Sequence, residues 1–166
     1  AERQTAGRGR QGREWESPPG NLFASTLVRL RPTDPSPATL ALVAAVALEE
    51  TARAFVSCVP LALKWPNDLL IDGAKLSGIL LERADDAVVI GFGANLAHHP
   101  QGLERPATSL AAHGAVPEPQ VFAETLAESF AHWLARWRGV GLGPIRERWL
   151  ARAHPPEGGT AEGDPC

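Results

Sequence analysis

The chain has 166 residues, of which 44% are hydrophobic and 21% charged, and a formal net charge of -3. That is enough chain and apolar content for one domain with its own core, and it excludes a broadly basic surface recruiting nucleic acid or anionic membrane. The longest apolar run, residues 40–48, is far too short to span a bilayer, and no basic-then-apolar segment opens the chain as a signal peptide would.

In chain order, the opening "AERQTAGRGRQGREWESPPGN" is rich in glycine and arginine and reads as a mobile loop. "NLFASTLVRL" alternates as a strand does; apolar side chains on both faces predict an internal one. After the Pro-rich turn "RPTDPSP", Ser36 can cap a helix with Pro37 at its first position. The helix itself, "ATLALVAAVALEETARAF", is apolar nearly all round up to Glu49, which predicts burial. "VPLALKW" is a strand and "PND" a turn. Asp72-Gly73 between two apolar runs signals a two-residue hairpin, and "GILLERADDAVVIGFGANL" reads as a second hairpin turning at residues 84–86. A long connection leads to the amphipathic "QVFAETLAESFAHWLARW", with Phe122, Leu126, Phe130, Leu134 and Trp137 at helical spacing and Gly139 as the expected cap. A short helix follows Gly143, and the tail from His154 is expected to be disordered. The fold class read from this order is α+β, with a mixed, mostly antiparallel sheet flanked by helices.

Several residues sit where their chemistry asks for a partner. Lys64 ends an apolar strand beside the rigid Trp65-Pro66-Asn67-Asp68 turn. Either an anion meets its ammonium, or it is an edge lysine snorkelling to water. Asp68 is its nearest obvious counter-ion and is equally able to help hold a metal. Lys75, just past the hairpin turn, reads slightly better as solvated than as a second anion ligand. The loop "AGRGRQGREW" offers Arg8, Arg10 and Arg13 among glycines that can curl around an anion; a solvated loop or an RGG-like nucleic-acid tail is the plainer reading. Gly78, Gly91 and Gly93 lie within strands, where glycine marks either bulges or a ligand lying flat on the backbone. Asn95 suits a nucleobase edge as well as a turn. His98, His99, His113, His132 and His154 have no metal-ligand spacing, and no P-loop, GxGxxG or nucleophile elbow is present. Cys58 and Cys166 have neither framework nor metal spacing and are expected as free thiols in a reducing compartment, hence a cytoplasmic protein.

The stretches "AGRGRQGREWESPPGNLFAS", "KWPNDLLIDGAKLSGILLE" and "VVIGFGANL" occur in the order and approximate spacing of biotin protein ligases, and residues from about 2 to about 150 resemble that family. The resemblance implies the catalytic-domain fold related to class II aminoacyl-tRNA synthetases. It also implies an enzyme, a biotin–[acetyl-CoA-carboxylase] ligase with two steps. The biotin carboxylate attacks the α-phosphate of ATP, giving biotinyl-5′-AMP and pyrophosphate; a lysine amine of a carboxylase's biotin carrier domain then displaces AMP. Carried over by position, Lys64 matches the catalytic lysine, and Gln4, Arg8, Gly9 and Arg10 match the loop closing over biotin and adenylate, with Arg10 also catalytic. Trp15 resembles an aromatic near the adenine, Asn95 an adenine-edge contact, and Gly78 and Gly91 the backbone that biotin approaches. Magnesium is expected with ATP, with no ligand assigned.

The chain departs from the family pattern in three ways. A Ser-Thr-Asn-type segment that also contacts biotin would precede the loop; none is present, and with no methionine even at position 1 the chain is expected to be a fragment. Residues 1–153 then form a partial catalytic domain and 154–166 a tail in place of the small C-terminal β-domain. Gln11 stands where many relatives carry arginine. No helix-turn-helix precedes the domain, so no nucleic-acid partner is expected; a homodimer through the sheet is possible for the family. The competing readings are a lipoate or octanoyl transferase of the same superfamily, a Gly/Arg nucleic-acid module and an inactive remnant. Glu2, Glu14 and Glu16, which dilute the basic run, count against the nucleic-acid module.

Overall fold

The computed structural model describes residues 1–9, 12 and 15–154, so Arg10 and residues 155–166 lie outside the described residues. Five strands form one sheet in the order β1-β5-β4-β3-β2: β1 (Leu22–Arg29), β2 (Leu61–Lys64), β3 (Asp68–Ile71), β4 (Ala74–Ala84) and β5 (Ala87–Ala94). All four strand pairings are antiparallel, and two isolated parallel bridges, Leu63 with Ala153 and Lys75 with Ala107, make the sheet mixed at its margins. Both expected hairpins form. Asp72 (φ 48°) and Gly73 (φ 76°) supply the positive dihedrals that a two-residue turn between right-twisted strands requires, and Asp85 (φ 48°) opens the second turn.

Strand β1 is an edge rather than an internal strand. It pairs with β5 alone, and its outward Leu27 stays 55% exposed, so the apolar second face that suggested burial remains open. At the other edge, Leu63 N–H donates to the Arg152 carbonyl (2.6 Å) and His154 N–H donates to the Leu63 carbonyl (2.7 Å), so the chain is tied to β2 as far as His154; the rest of the expected tail lies outside the described residues. Cys58, expected as a free thiol, is not free, and Cys166, the other expected thiol, lies outside the described residues.

Helix α1 (Leu40–Phe55) is buried on every side over most of its length, as its composition predicts. It packs against β2, β3 and β4 on one side and against α2 (Pro119–Val140) and α3 (Gly143–Leu150) on the other. A 3-10 turn, Pro37–Thr39, precedes it, and Ser36 makes no side-chain capping bond. Helix α2 runs past Gly139 and is capped at Gly141 (φ 91°), which alone of the two takes the left-handed dihedral that ends a helix. Its apolar face joins the core through Phe122 stacked on Phe55 (5.3 Å between ring centres) and Phe130 edge-on to Phe92 (6.1 Å). Glu49 is fully buried in α1 and accepts from Arg53 (2.7 Å) and Arg148 of α3 (2.9 Å), so the buried charge is paired. All three helices therefore cover one face of the sheet and leave the other open.

Candidate functional site

The open face of the sheet forms the floor of a cleft of about 970 Å³, whose rim includes residues 4–9, 64–68 and 100–107. Strand register lays one row of residues across four strands: Lys64 faces Asp68, Asp68 faces Gly78, and Gly78 faces Gly93. Period-2 alternation then sends Leu63, Leu69, Ile79 and Phe92 into the core beneath while this row stays on the cleft side.

Lys75 reaches the same cleft through a break in that alternation. Leu69 pairs with Ser77 but Leu70 pairs with Lys75, so Leu76 is a bulge residue without a cross-strand partner on β3. The extra residue reverses the facing of β4. Leu76 is buried in the core, although it shares parity with the cleft residues Gly78, Leu80 and Glu82; Lys75, of opposite parity, lines the cleft. Its ammonium lies 2.7 Å from Asp68 Oδ1 and 5.5 Å from the centre of the Trp15 ring. Asp68 is thus the ion-pair partner of Lys75 and the cross-strand neighbour of Lys64.

The two glycines of the row hold Trp15. A Cβ on Gly93 would stand 2.7 Å from the indole, and one on Gly78 would stand 3.4 Å from the ring and 3.3 Å from the Lys75 ammonium. An aromatic ring therefore already lies on this backbone, with its Nε1–H buried and unpartnered among the described residues. Gly91 is different: a Cβ there would meet the Leu80 carbonyl oxygen at 3.7 Å and Ser25 Oγ at 3.8 Å, ordinary van der Waals contact, so no ring is seated on it and a methyl group would displace nothing. Trp15 is set by its own loop, where its N–H donates to the Gly7 carbonyl (3.0 Å) and Ser17 Oγ donates to Gln4 Oε1 (3.0 Å). Gly7 has to be glycine, since a Cβ would collide with the Trp15 carbonyl.

Of the residues singled out from sequence, Gln4, Arg8, Gly9, Trp15, Lys64, Gly78, Gly91 and Asn95 all line this one cleft; Arg10 lies outside the described residues. Asn95 is 3% exposed, and its Nδ2 donates to the Thr108 carbonyl (3.0 Å), so part of its amide is already committed to a neighbouring loop. Sequence reasoning undervalued Lys75, because nothing in "AKLSGILLE" marks a bulge and simple alternation points Lys75 away from Gly78. Glu16, Asp68, Glu82 and Glu104 also reach the cleft, so its cations, Arg8, Lys64, Lys75 and Arg105, are interspersed with carboxylates. Among the described residues no three His, Cys, Asp or Glu side chains are grouped to hold a metal ion. No helix among the described residues is long and apolar enough to cross a membrane.

Fold and cleft define a class: an α+β domain whose sheet has one face under helices and the other carrying a glycine-floored cleft. Comparison with known proteins places it further. The profile of the Biotin/lipoate A/B protein ligase family matches residues 1–95. Biotin--[acetyl-CoA-carboxylase] ligase of Paracoccus denitrificans is 44% identical over 92% of this chain and 69% of its own length. Among solved structures, biotin protein ligase from Aquifex aeolicus in complex with biotin and ATP superposes with a TM-score of 0.82 at 26% identity, over 92% of this chain and 66% of that one. The ligase from Leishmania major in complex with biotinyl-5-AMP does so with a TM-score of 0.79 at 25% identity, over 97% and 74%. The chain belongs to the Biotin/lipoate A/B protein ligase family, and it spans about two thirds of the Paracoccus and Aquifex relatives' length.

Proposed function

We propose that this domain activates biotin with ATP to biotinyl-5′-AMP and passes the biotinyl group to a lysine of a carboxylase's biotin carrier domain. One observation carries the reading: Arg8, Lys64 and Lys75 line a single cleft with a glycine floor on the open face of the sheet. Activation brings a carboxylate against a polyphosphate, and two anions approach only where fixed positive groups neutralise them. The family name spans biotin and lipoate; the 44% identical relative, named as a biotin ligase, supports the biotin arm.

In this reading the role expected of Lys64 passes to Lys75, whose ammonium lies beside Trp15 and the glycine floor: it holds the carboxylate and α-phosphate oxygens at the reacting centre, exchanging its bond to Asp68 for the substrate oxygens, and Lys64 supports it from β2. The carboxylate oxygen bonds to the α-phosphorus as pyrophosphate leaves. The acceptor amine then attacks the acyl carbon, AMP leaves, and the amine gives up a proton. Gly91 lets the bicyclic head of biotin rest on backbone, Trp15 and Asn95 face the adenine, and Gln4, Arg8, Gly9 and Arg10 belong to the loop that covers the anhydride and excludes water. Magnesium would arrive with the nucleotide phosphates. The acceptor is a protein lysine.

The test is biotin-dependent exchange of pyrophosphate into ATP. The parent chain is expected to exchange with biotin and not with lipoate. Lys75→Ala should lose about two to three orders of magnitude, in the range of removing one fixed donor at a developing charge, with Lys64→Ala smaller. Both variants should keep the parent circular dichroism. Full exchange in both would overturn the reading.

A further inference from the structure

We infer that Thr108 is a positioning residue that fixes Lys75 and Asn95 together, and so couples the acid-holding and nucleotide-facing parts of the cleft. This rests on the reading of those two residues given above.

Strand β5 ends at Ala94, opposite Ser77, so by Lys75 it no longer runs beside β4. The bulge at Leu76 turns β4 there, and residues 106–108 take the vacated place. Lys75 N–H donates to the Pro106 carbonyl (2.9 Å), and Thr108 N–H donates to the Lys75 carbonyl (2.9 Å). Asn95 Nδ2 donates to the Thr108 carbonyl (3.0 Å). One residue thus uses its N–H on the lysine and its carbonyl on the asparagine. Its hydroxyl, 3.0 Å from His113 Nε2, ties the segment to the following 3-10 turn, and Ser109 Oγ makes a parallel contact with His99 Nδ1 (3.0 Å). Just beyond, Leu110 N–H donates to the Asn95 carbonyl (3.0 Å) and Ala111 N–H to the Leu96 carbonyl (2.9 Å), so backbone bonds fix the segment on both sides and the Thr108 hydroxyl is the side-chain anchor that sets how well Lys75 and Asn95 keep their positions. Thr108 is 7% exposed, at the edge of the cleft rather than among its lining residues, and touches substrate only through its two neighbours.

The experiment compares Thr108→Val, which keeps the shape and loses the hydroxyl, with Thr108→Ser, which keeps the hydroxyl. In pyrophosphate exchange Thr108→Val should lower kcat by about tenfold and raise the KM for ATP by a similar factor, and Thr108→Ser should stay within about twofold of the parent. A merely structural role would lower the active fraction, reducing kcat with KM unchanged, and that result overturns the inference. Independently of catalysis, amide hydrogen exchange on the unliganded chain should speed up at Lys75 and Thr108 in Thr108→Val, with core amides of α1 unchanged. His113→Ala should reproduce that local change, which keeps the test open if Thr108→Val folds poorly. Unchanged protection at Lys75, or loss spread evenly over the core, sinks the inference. A parent chain that performs no exchange at all refutes the functional reading instead, and the amide measurement still decides the positioning.

Discussion

A glycine inside a strand weakens it, so each one in this sheet calls for a compensating neighbour. At Gly93 and Gly78 the neighbour is Trp15, whose indole would be displaced by a methyl group at 2.7 Å from the first. At Gly91 the neighbours stand at ordinary contact distance, the Leu80 carbonyl oxygen at 3.7 Å and Ser25 Oγ at 3.8 Å. The two cases separate by experiment. Gly91→Ala makes ordinary contacts and removes backbone freedom from the unfolded chain, so its melting temperature should equal or slightly exceed the parent's, by up to about 1 kcal/mol in stability. If biotin rests on that backbone, the same methyl group should weaken biotin binding by about tenfold or more, read by calorimetry. Unchanged affinity would move the ligand off Gly91.

Between elements, the carboxylate of Glu50 ties α1 to α2. Its Oε2 accepts from Ser129 Oγ (2.7 Å) and Trp133 Nε1 (2.7 Å). Partial burial raises its pKa, but those two hydrogen bonds, with the charges of Arg148 and His132, outweigh burial and hold it below its ordinary 4.5. A depressed folded pKa means stability that is present above 4.5 and lost as pH falls through the folded value. Urea melts at pH 7 and pH 3 should therefore show a smaller acid loss in Glu50→Gln than in the parent; equal losses would mean that Glu50 does not link the helices in this way. The helices themselves were legible from sequence, because an all-round apolar run and a 3.6-residue stripe each have one solution. So were both hairpins, whose Asp-Gly and Asp-Asp turns are local chemistry. Less was legible where partners are distant. The bulge at Leu76, the Asp68–Lys75 pair and the segment 106–108 beside β4 depend on register and on chain far along the sequence. Lys75 therefore read as a solvated lysine, and Asp68 as the partner of Lys64. The motif residues of the cleft were legible through resemblance, since no local rule sends Gln4, Lys64 and Asn95 to one place.

For the molecule as a whole, a sheet with one covered face and one open face is a domain completed by what it binds. A ligand that binds only the folded chain stabilises it by mass action, by about 4 kcal/mol at a thousand times its dissociation constant, or on the order of 10 °C in melting temperature for a chain of this size. Biotin and ATP given separately should each raise the melting temperature. Given together they should raise it by more than the sum, because forming the acyl phosphate joins two weak ligands into one that contacts both ends of the cleft and no longer loses either half independently. Lipoate in place of biotin should remove the excess. Lys75→Ala should remove it too while keeping the ATP shift, because it breaks the chemical joining rather than nucleotide binding. Strictly additive shifts in the parent chain would mean that the two substrates bind without reacting, and the proposed carboxylate activation would fail even if both bind well.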